Sequence, residues 1–357
     1  MSRLSTFSLA RRSFLLHERA TGFAIIVALV SLSLSALRAQ EDTAGAISRE
    51  VKALFERCGH AVVKIHAVDE HSELSGTGFF IDPAGTIYTS YSVGGEAENF
   101  TIQFDGKKYH ATQLMADLRS GIALLKIDAA TPFLPIGHSS ELGLATPVVA
   151  IGYPLDLPES PSFGMIAGFD RKYLGRYFST THLRVNLSTQ RGEAGAPLLN
   201  FQGEVVGILV SSLESGSACY ALPIDAAEKI RRDYIRFGDA HHGWMGIDVQ
   251  QADAPVAGST AEMTQIRDDG PAADSGLQPG DMLLQVGKTP VHEPEDVIDA
   301  SFFISAGDSV PITIMRGDKK LTFNIQAGST KPDAMVLGPS RKAAVPLRLD
   351  AAPSNTP

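Results

Sequence analysis

The chain is poor in cysteine: Cys58 and Cys219 are its only two among 357 residues. Two thiols do not make a disulfide framework, so the fold must be held by a hydrophobic core. An exported chain would permit one Cys58–Cys219 bond; the alternative is two small buried thiols. Long basic blocks are missing too. With a formal net charge of −9 and a pI near 5.6, nucleic acid and anionic membrane are excluded as main partners. No Cys/His spacing suits zinc, and His241 and His242 are adjacent, so in an extended chain they point opposite ways. There is no phosphate loop, internal repeat or heptad, and no cofactor or metal is expected. Between His71 and His110 there is no histidine at all. Nor is any apolar run long enough for an ordinary membrane span: the longest, Gly22 to Leu37, has about sixteen residues where a span needs ~20.

What is present is a globular composition, 44% hydrophobic and 20% charged, long enough for roughly two domains. Arg3, Arg11, Arg12 and Arg19 precede the apolar run, which ends at Ala36-Leu37-Arg38-Ala39. That order predicts export, with 1–39 as a signal peptide or an N-terminal membrane anchor, and a periplasmic or extracellular location. Leu37 stands where a cleavage site prefers a small residue, which keeps both alternatives open.

Ile47, Val51, Leu54 and Phe55 recur at helical spacing, and Ala61 to Ile65 is a β-branched run suited to a first strand. Asp82-Pro83-Ala84-Gly85 suits a type I turn between paired strands. Pro147 to Gly152 reads as a buried strand. Pro197-Leu198-Leu199 and Val205 to Ile208 flank a Gly-containing loop, a hairpin signal. Ile224 to Phe237 reads as a helix, with Asp225 as N-cap and Gly238 as stop. From Gly243 the character changes, and after Gln326 the chain turns Ala-, Pro-, Ser- and Lys-rich.

Before the hairpin, Gly192-Glu193-Ala194-Gly195-Ala196-Pro197 is a dense small-residue turn, where main-chain N–H groups can face outward. It resembles the Gly-x-Ser-Gly-Gly-Pro nucleophile loop of trypsin-fold serine proteases. The sequel, Leu198-Leu199-Asn200 through Gly203-Glu204-Val205-Val206-Gly207-Ile208, resembles the HtrA branch of that family. Gly76 to Thr89 resembles the HtrA segment that precedes its catalytic histidine. Ile122 to Ile127 resembles the segment after its aspartate, and Tyr220 to Ile224 its Phe-Ala-Ile-Pro. The unit from Gly243 through Gly270-Pro271-Ala272, Leu277-Gln278-Pro279-Gly280-Asp281 and Ile312 to Arg316 resembles an HtrA-type PDZ domain.

The resemblance implies a mainly β chain, a trypsin-like double β-barrel followed by an α+β PDZ domain. It divides the chain into 40–238 for the barrels, 243–327 for the PDZ domain and 328–357 as a disordered tail. Laid residue on residue, the family's serine, histidine and aspartate fall on Ala194, Ser92 and Gly121, with Asp117 four residues out of register. A methyl group cannot attack a carbonyl, and three losses at three places imply a pseudoprotease rather than an enzyme. An active serine endopeptidase with a relocated triad is the alternative. Ser188 and Thr189 are its nearest hydroxyls, read as lying away from the turn. His66, His110, His138 and His182 have no partner visible in sequence.

Gly192, Glu193 and Ala194 would keep a residual oxyanion loop. Asn186 replaces the family's aspartate before that loop, so the substrate-side pocket is expected to differ. Trp244-Met245-Gly246-Ile247 falls on the PDZ loop that takes a terminal carboxylate. Implied partners are peptide or protein C-termini, including an active HtrA relative or envelope proteins, in a scaffold, chaperone-like or regulatory role. By resemblance only, the chain would form a homo-oligomer, a trimer.

Overall fold

In the computed structural model, the described residues are 45–68, 72–173, 176–212 and 218–329, excepting the side chains of 176 and 177. The N-terminal apolar run and 330–357 lie outside them. The chain forms two compact units, the first ending at Glu228 and the second starting at Lys229.

The first unit opens with a helix, α1 (45–58), as the 3.6-residue spacing predicts. A closed six-stranded barrel follows: β1 (Val62–Val68), β2 (Glu73–Phe80), β3 (Thr86–Ser90), β4 (Asn99–Phe104), β5 (Lys107–Asp117) and β6 (Ile122–Lys126), with a one-turn helix α2 (Tyr91–Gly94) after β3. Val63, Ile65, Phe80, Ile87, Phe100, Ile102 and Leu125 fill it. The Asp82 turn forms as expected: the Gly85 N–H donates to Asp82 O, and Asp82 Oδ1 accepts from Ala84 and Thr86 N–H. Gly85 has φ +91°, a conformation L side chains rarely adopt.

A second closed barrel is built from β7 (Pro147–Gly152), β8 (Ser160–Tyr173), β9 (Arg176–Val185), β10 (Pro197–Leu199), β11 (Val205–Ser212) and β12 (Cys219–Pro223). Closure leaves neither barrel with an unpaired edge. The expected hairpin is β10–β11, in register Pro197 to Ile208. Cys58 and Cys219 are both free and buried, so the disulfide that export would permit is not formed. Each thiol has its own surroundings: Cys58 Sγ lies 3.9 Å from Gly203 O, and Cys219 sits in the second barrel's core cluster.

Helix α3 (Ile224–Phe237) has the predicted ends and straddles the division between the units. Gly238 stops it, at φ +84° with its N–H on Tyr234 O. Asp225 is not its N-cap. The residue lies inside the first turn, and its Oδ2 accepts from the N–H groups of Ser139 and Ser140 and from the Ser139 hydroxyl.

The second unit is a sheet of order β14 (Ile247–Val256), β15 (Ser259–Ile266), β16 (Met282–Val286), β18 (Ser309–Arg316) and β19 (Lys319–Gln326). The short β17 (Thr289–Pro290) pairs with β16, and helix α4 (Pro294–Phe302) packs across β14, β15 and β16. A separate pair joins β13 (Gly243–Trp244) to β20 (Gly328–Ser329). The chain therefore stays ordered past the expected start of the tail at 328: Gly328 packs so closely on Pro271 that a Cβ there would sit 2.9 Å from its ring.

Candidate functional site

A cavity of about 230 Å³ in the first unit brings together residues from both barrels. Ser92 and Val93 of α2 line it, with Thr189 to Ala194 of the nucleophile-loop region, Ser211 and Ser212 of β11, and Cys219 of β12. Ser92 and Ala194, which the motifs place at the family's histidine and serine, thus share one cavity.

The loop is held from several sides. Thr77 of β2 is fully buried; its N–H donates to Ala194 O (2.9 Å) and its hydroxyl to Gly192 O (2.7 Å). The same Oγ1 accepts from Tyr153 N–H (3.1 Å), and the Leu155 N–H donates to Arg191 O (2.7 Å). The Gly195 N–H reaches Leu209 O (2.8 Å). Gly192 and Gly195 have φ of +100° and +87°, so the turn depends on glycine at both. The N–H groups of Gly192 and Ala194 have no partner among the described residues, whereas the Glu193 N–H is bonded back to Gln190 O. Glu193 is 4% exposed and its Oε2 accepts from Gln190 N–H (2.6 Å). Burial pushes its carboxyl pKa up. Burial first, then the nearby Glu193 charge, pushes the Cys219 thiol up to about 12.

Opposite Ala194, Ser90 caps α2 by accepting from Ser92 N–H (3.1 Å), and the hydroxyls of Ser90 and Ser92 lie 2.5 Å apart. Gly121, at φ +78°, presents its carbonyl to Tyr91 N–H (2.7 Å), one residue from Ser92. Asp117 is buried at the end of β5, and its Oδ2 accepts from Ser120 N–H (3.0 Å), bracing its own turn.

Among the described residues, no histidine lines the cavity. His66 Nε2 is 3.9 Å from Asp156, His138 Nδ1 3.6 Å from Asp225, and His182 stacks on Phe178 with Nδ1 2.8 Å from Thr180 O; His110 is exposed on β5. Thr189 is a correction to the sequence reading. It lines the cavity beside Ala194, because β11 brings Ser212 Oγ to 2.7 Å from its hydroxyl. Asn186 is engaged elsewhere, accepting from Met165 N–H. Sequence reasoning missed Thr77, whose partners lie on a distant segment.

In the second unit, β14 is the edge strand of its sheet and α4 packs beside it; among the described residues nothing pairs with the other side of β14, where a strand could be added. Of the predicted carboxylate loop, Trp244 pairs with Gly328, Met245 is buried in the core, and Ile247 begins β14. Gly246 has φ +74°, and a Cβ there would meet Gly270 Cα at 2.9 Å. Gly246 O and Met245 O accept from Arg267 and Ala272 N–H.

Two family models match the chain: a trypsin-like peptidase domain over residues 76–208 and a PDZ domain over 243–327. Among curated proteins, a probable periplasmic serine endoprotease DegP-like from Pseudomonas fluorescens is 30% identical over 267 residues, 71% of this chain and 56% of that one. Its namesake from Halomonas elongata is 29% identical, covering 83% of this chain and 66% of its own. The chain thus spans a little over half to two thirds of the length of these relatives. Among solved structures, the HtrA-type protease AlgW with a tripeptide superposes with a TM-score of 0.70 at 22% identity, over 79% of this chain and 98% of the other. A serine endoprotease from Yersinia pestis gives 0.61 at 25%, with the same coverage.

Proposed function

The chain belongs to the HtrA type, a trypsin-like domain followed by a PDZ domain, and from that premise we propose that it is an exported pseudoprotease that binds peptides rather than cleaving them. One observation carries this reading: among the described residues, no histidine lines the cavity holding Ala194 and Ser92. A serine mechanism needs a nucleophile, a base within hydrogen-bond reach and an orienting carboxylate. Ala194, Ser92 and Gly121 supply none of the three. Catalysis by Thr189 would need a base, and its hydroxyl is paired with Ser212.

Peptide binding is supported by the open edge of β14 beside α4, the Trp244–Ile247 loop at its start, and the peptides present in related HtrA structures. The partners are protein or peptide C-termini, an active relative or envelope proteins, in a scaffold, chaperone-like or regulatory role. The relatives' names support a periplasmic location, and a trimer is the family expectation. The four domain divisions read from sequence stand as part of this proposal, except that the β13–β20 pair carries the second unit on through Ser329.

Because the relatives are named as proteases, an active endopeptidase with a relocated triad is the competing reading. Incubation of the purified protein with casein separates the two: the pseudoprotease leaves it intact, and inhibitor-sensitive turnover favours the competitor.

A further inference from the structure

We propose that the barrel cleft is a second carboxylate-binding site, taking the free C-terminus of a peptide much as a protease would hold its product. The inference rests on the peptide-binding reading above and adds a ligand class for the cleft. Four features support it. Gly192 and Ala194 line the cavity, and their N–H groups have no partner among the described residues. Buried Thr77 and the Leu155 N–H fix the loop that carries them, so the donors are organised before a ligand arrives. Ala194 presents a methyl where a nucleophile's hydroxyl would stand, and Ser92 a short side chain where an imidazole would, which leaves room for both carboxylate oxygens. Arg191, exposed and lining the cavity, has no ion pair among the described residues, and places a positive charge beside the donors.

Hydrogen bonds to a charged acceptor are roughly twice as strong as those to a neutral carbonyl, so these donors favour a terminal carboxylate over an internal peptide bond. When Ser90 donates within the Ser90–Ser92 pair, the Ser92 hydroxyl proton is available to the second oxygen. Glu193 also lines the cavity, and its Oε2 is held by the Gln190 N–H.

The test is calorimetric titration of the full chain with a ten-residue peptide ending in an apolar residue, and with its C-terminal amide. Two peptides should bind per chain. Gly246→Val should remove the PDZ site and leave one. In that background, amidation should weaken binding ~ten- to a hundredfold, as should Ala194→Asp, which sets a like charge beside the donors. The amide arm does not use Ala194→Asp, so it holds even if that variant fails to fold. A single site that vanishes with Gly246→Val overturns the inference and leaves PDZ binding standing. Equal affinity for acid and amide in the Gly246→Val background overturns it too. Cleavage of the peptide during titration would instead overturn the pseudoprotease reading on which the inference rests.

Discussion

If the chain is the pseudoprotease proposed above, Ala194 lacks the attacking oxygen and Ser92 the base, so restoring the oxygen alone achieves nothing. Triad members act as a unit. Ala194→Ser is therefore expected to be as inert toward casein as the parent. Adding Ser92→His and Gly121→Asp restores the side chains. A Cβ at Gly121 meets Val210 no closer than 3.6 Å, so the obstacle there is conformational: at φ +78° an L residue costs about 1–2 kcal/mol. The triple variant should melt lower than Ala194→Ser/Ser92→His by that amount in a denaturant titration. Glu193 makes a second, pH-dependent prediction. Burial raises its folded pKa above the unfolded value, so the folded state binds the proton more tightly. Its contribution is fully present below the ordinary glutamate pKa and is lost as pH rises through the folded value. Glu193→Gln keeps an acceptor for the Gln190 N–H and should flatten that decline. Tm measured for both proteins from acid to neutral pH checks this: parallel curves would contradict it.

Among the elements, the nucleophile loop and α3 show how far local sequence signals reach. The β10–β11 hairpin, the Asp82 turn and both ends of α3 were legible, because period, turn chemistry and a glycine stop are written within a few residues. Asp225 was misread for the opposite reason. A cap rule sees only the helix, whereas the carboxylate goes to Ser139 and Ser140, far away in sequence. Thr77 escaped notice likewise: a threonine in a strand carries no mark of the loop 115 residues away that it holds. Thr77→Val keeps the shape, removes the donor to Gly192 O and leaves the Tyr153 N–H without its acceptor. It should cost ~1–3 kcal/mol, measurable by denaturant unfolding. Within the second unit, Lys229 and Asp233 of α3 form a buried pair at 2.8 Å, and Asp233 also accepts from the Ser305 hydroxyl (2.6 Å). Asp233→Ala removes the carboxylate paired with the buried Lys229 ammonium, which keeps His241 O at 3.4 Å, and should cost ~3–5 kcal/mol in the same assay. A change below 1 kcal/mol would mean the pair is solvated in solution.

For the whole molecule, the two-domain plan was visible because each half keeps its landmarks in order, whatever stands at the triad positions. The fold depends on barrel cores and turn glycines, and Ala194, Ser92 and Gly121 fit them without strain. Activity depends on three side chains that contribute little to folding, so fold and function can part company. The identities of Ser92, Gly121 and Ala194 were legible in the sequence; the shared cavity of Ser92, Thr189 and Ala194 required the tertiary structure. The central claim is that this chain does not hydrolyse peptide bonds. In subtilisin, loss of a triad costs about 2 × 10⁶ in kcat, which at tenfold per ~1.4 kcal/mol is about 8–9 kcal/mol of barrier. The most direct test is casein hydrolysis by the purified wild-type protein, with and without a serine-directed covalent inhibitor. The account predicts no turnover above the buffer background and no effect of the inhibitor; steady turnover abolished by the inhibitor would contradict it.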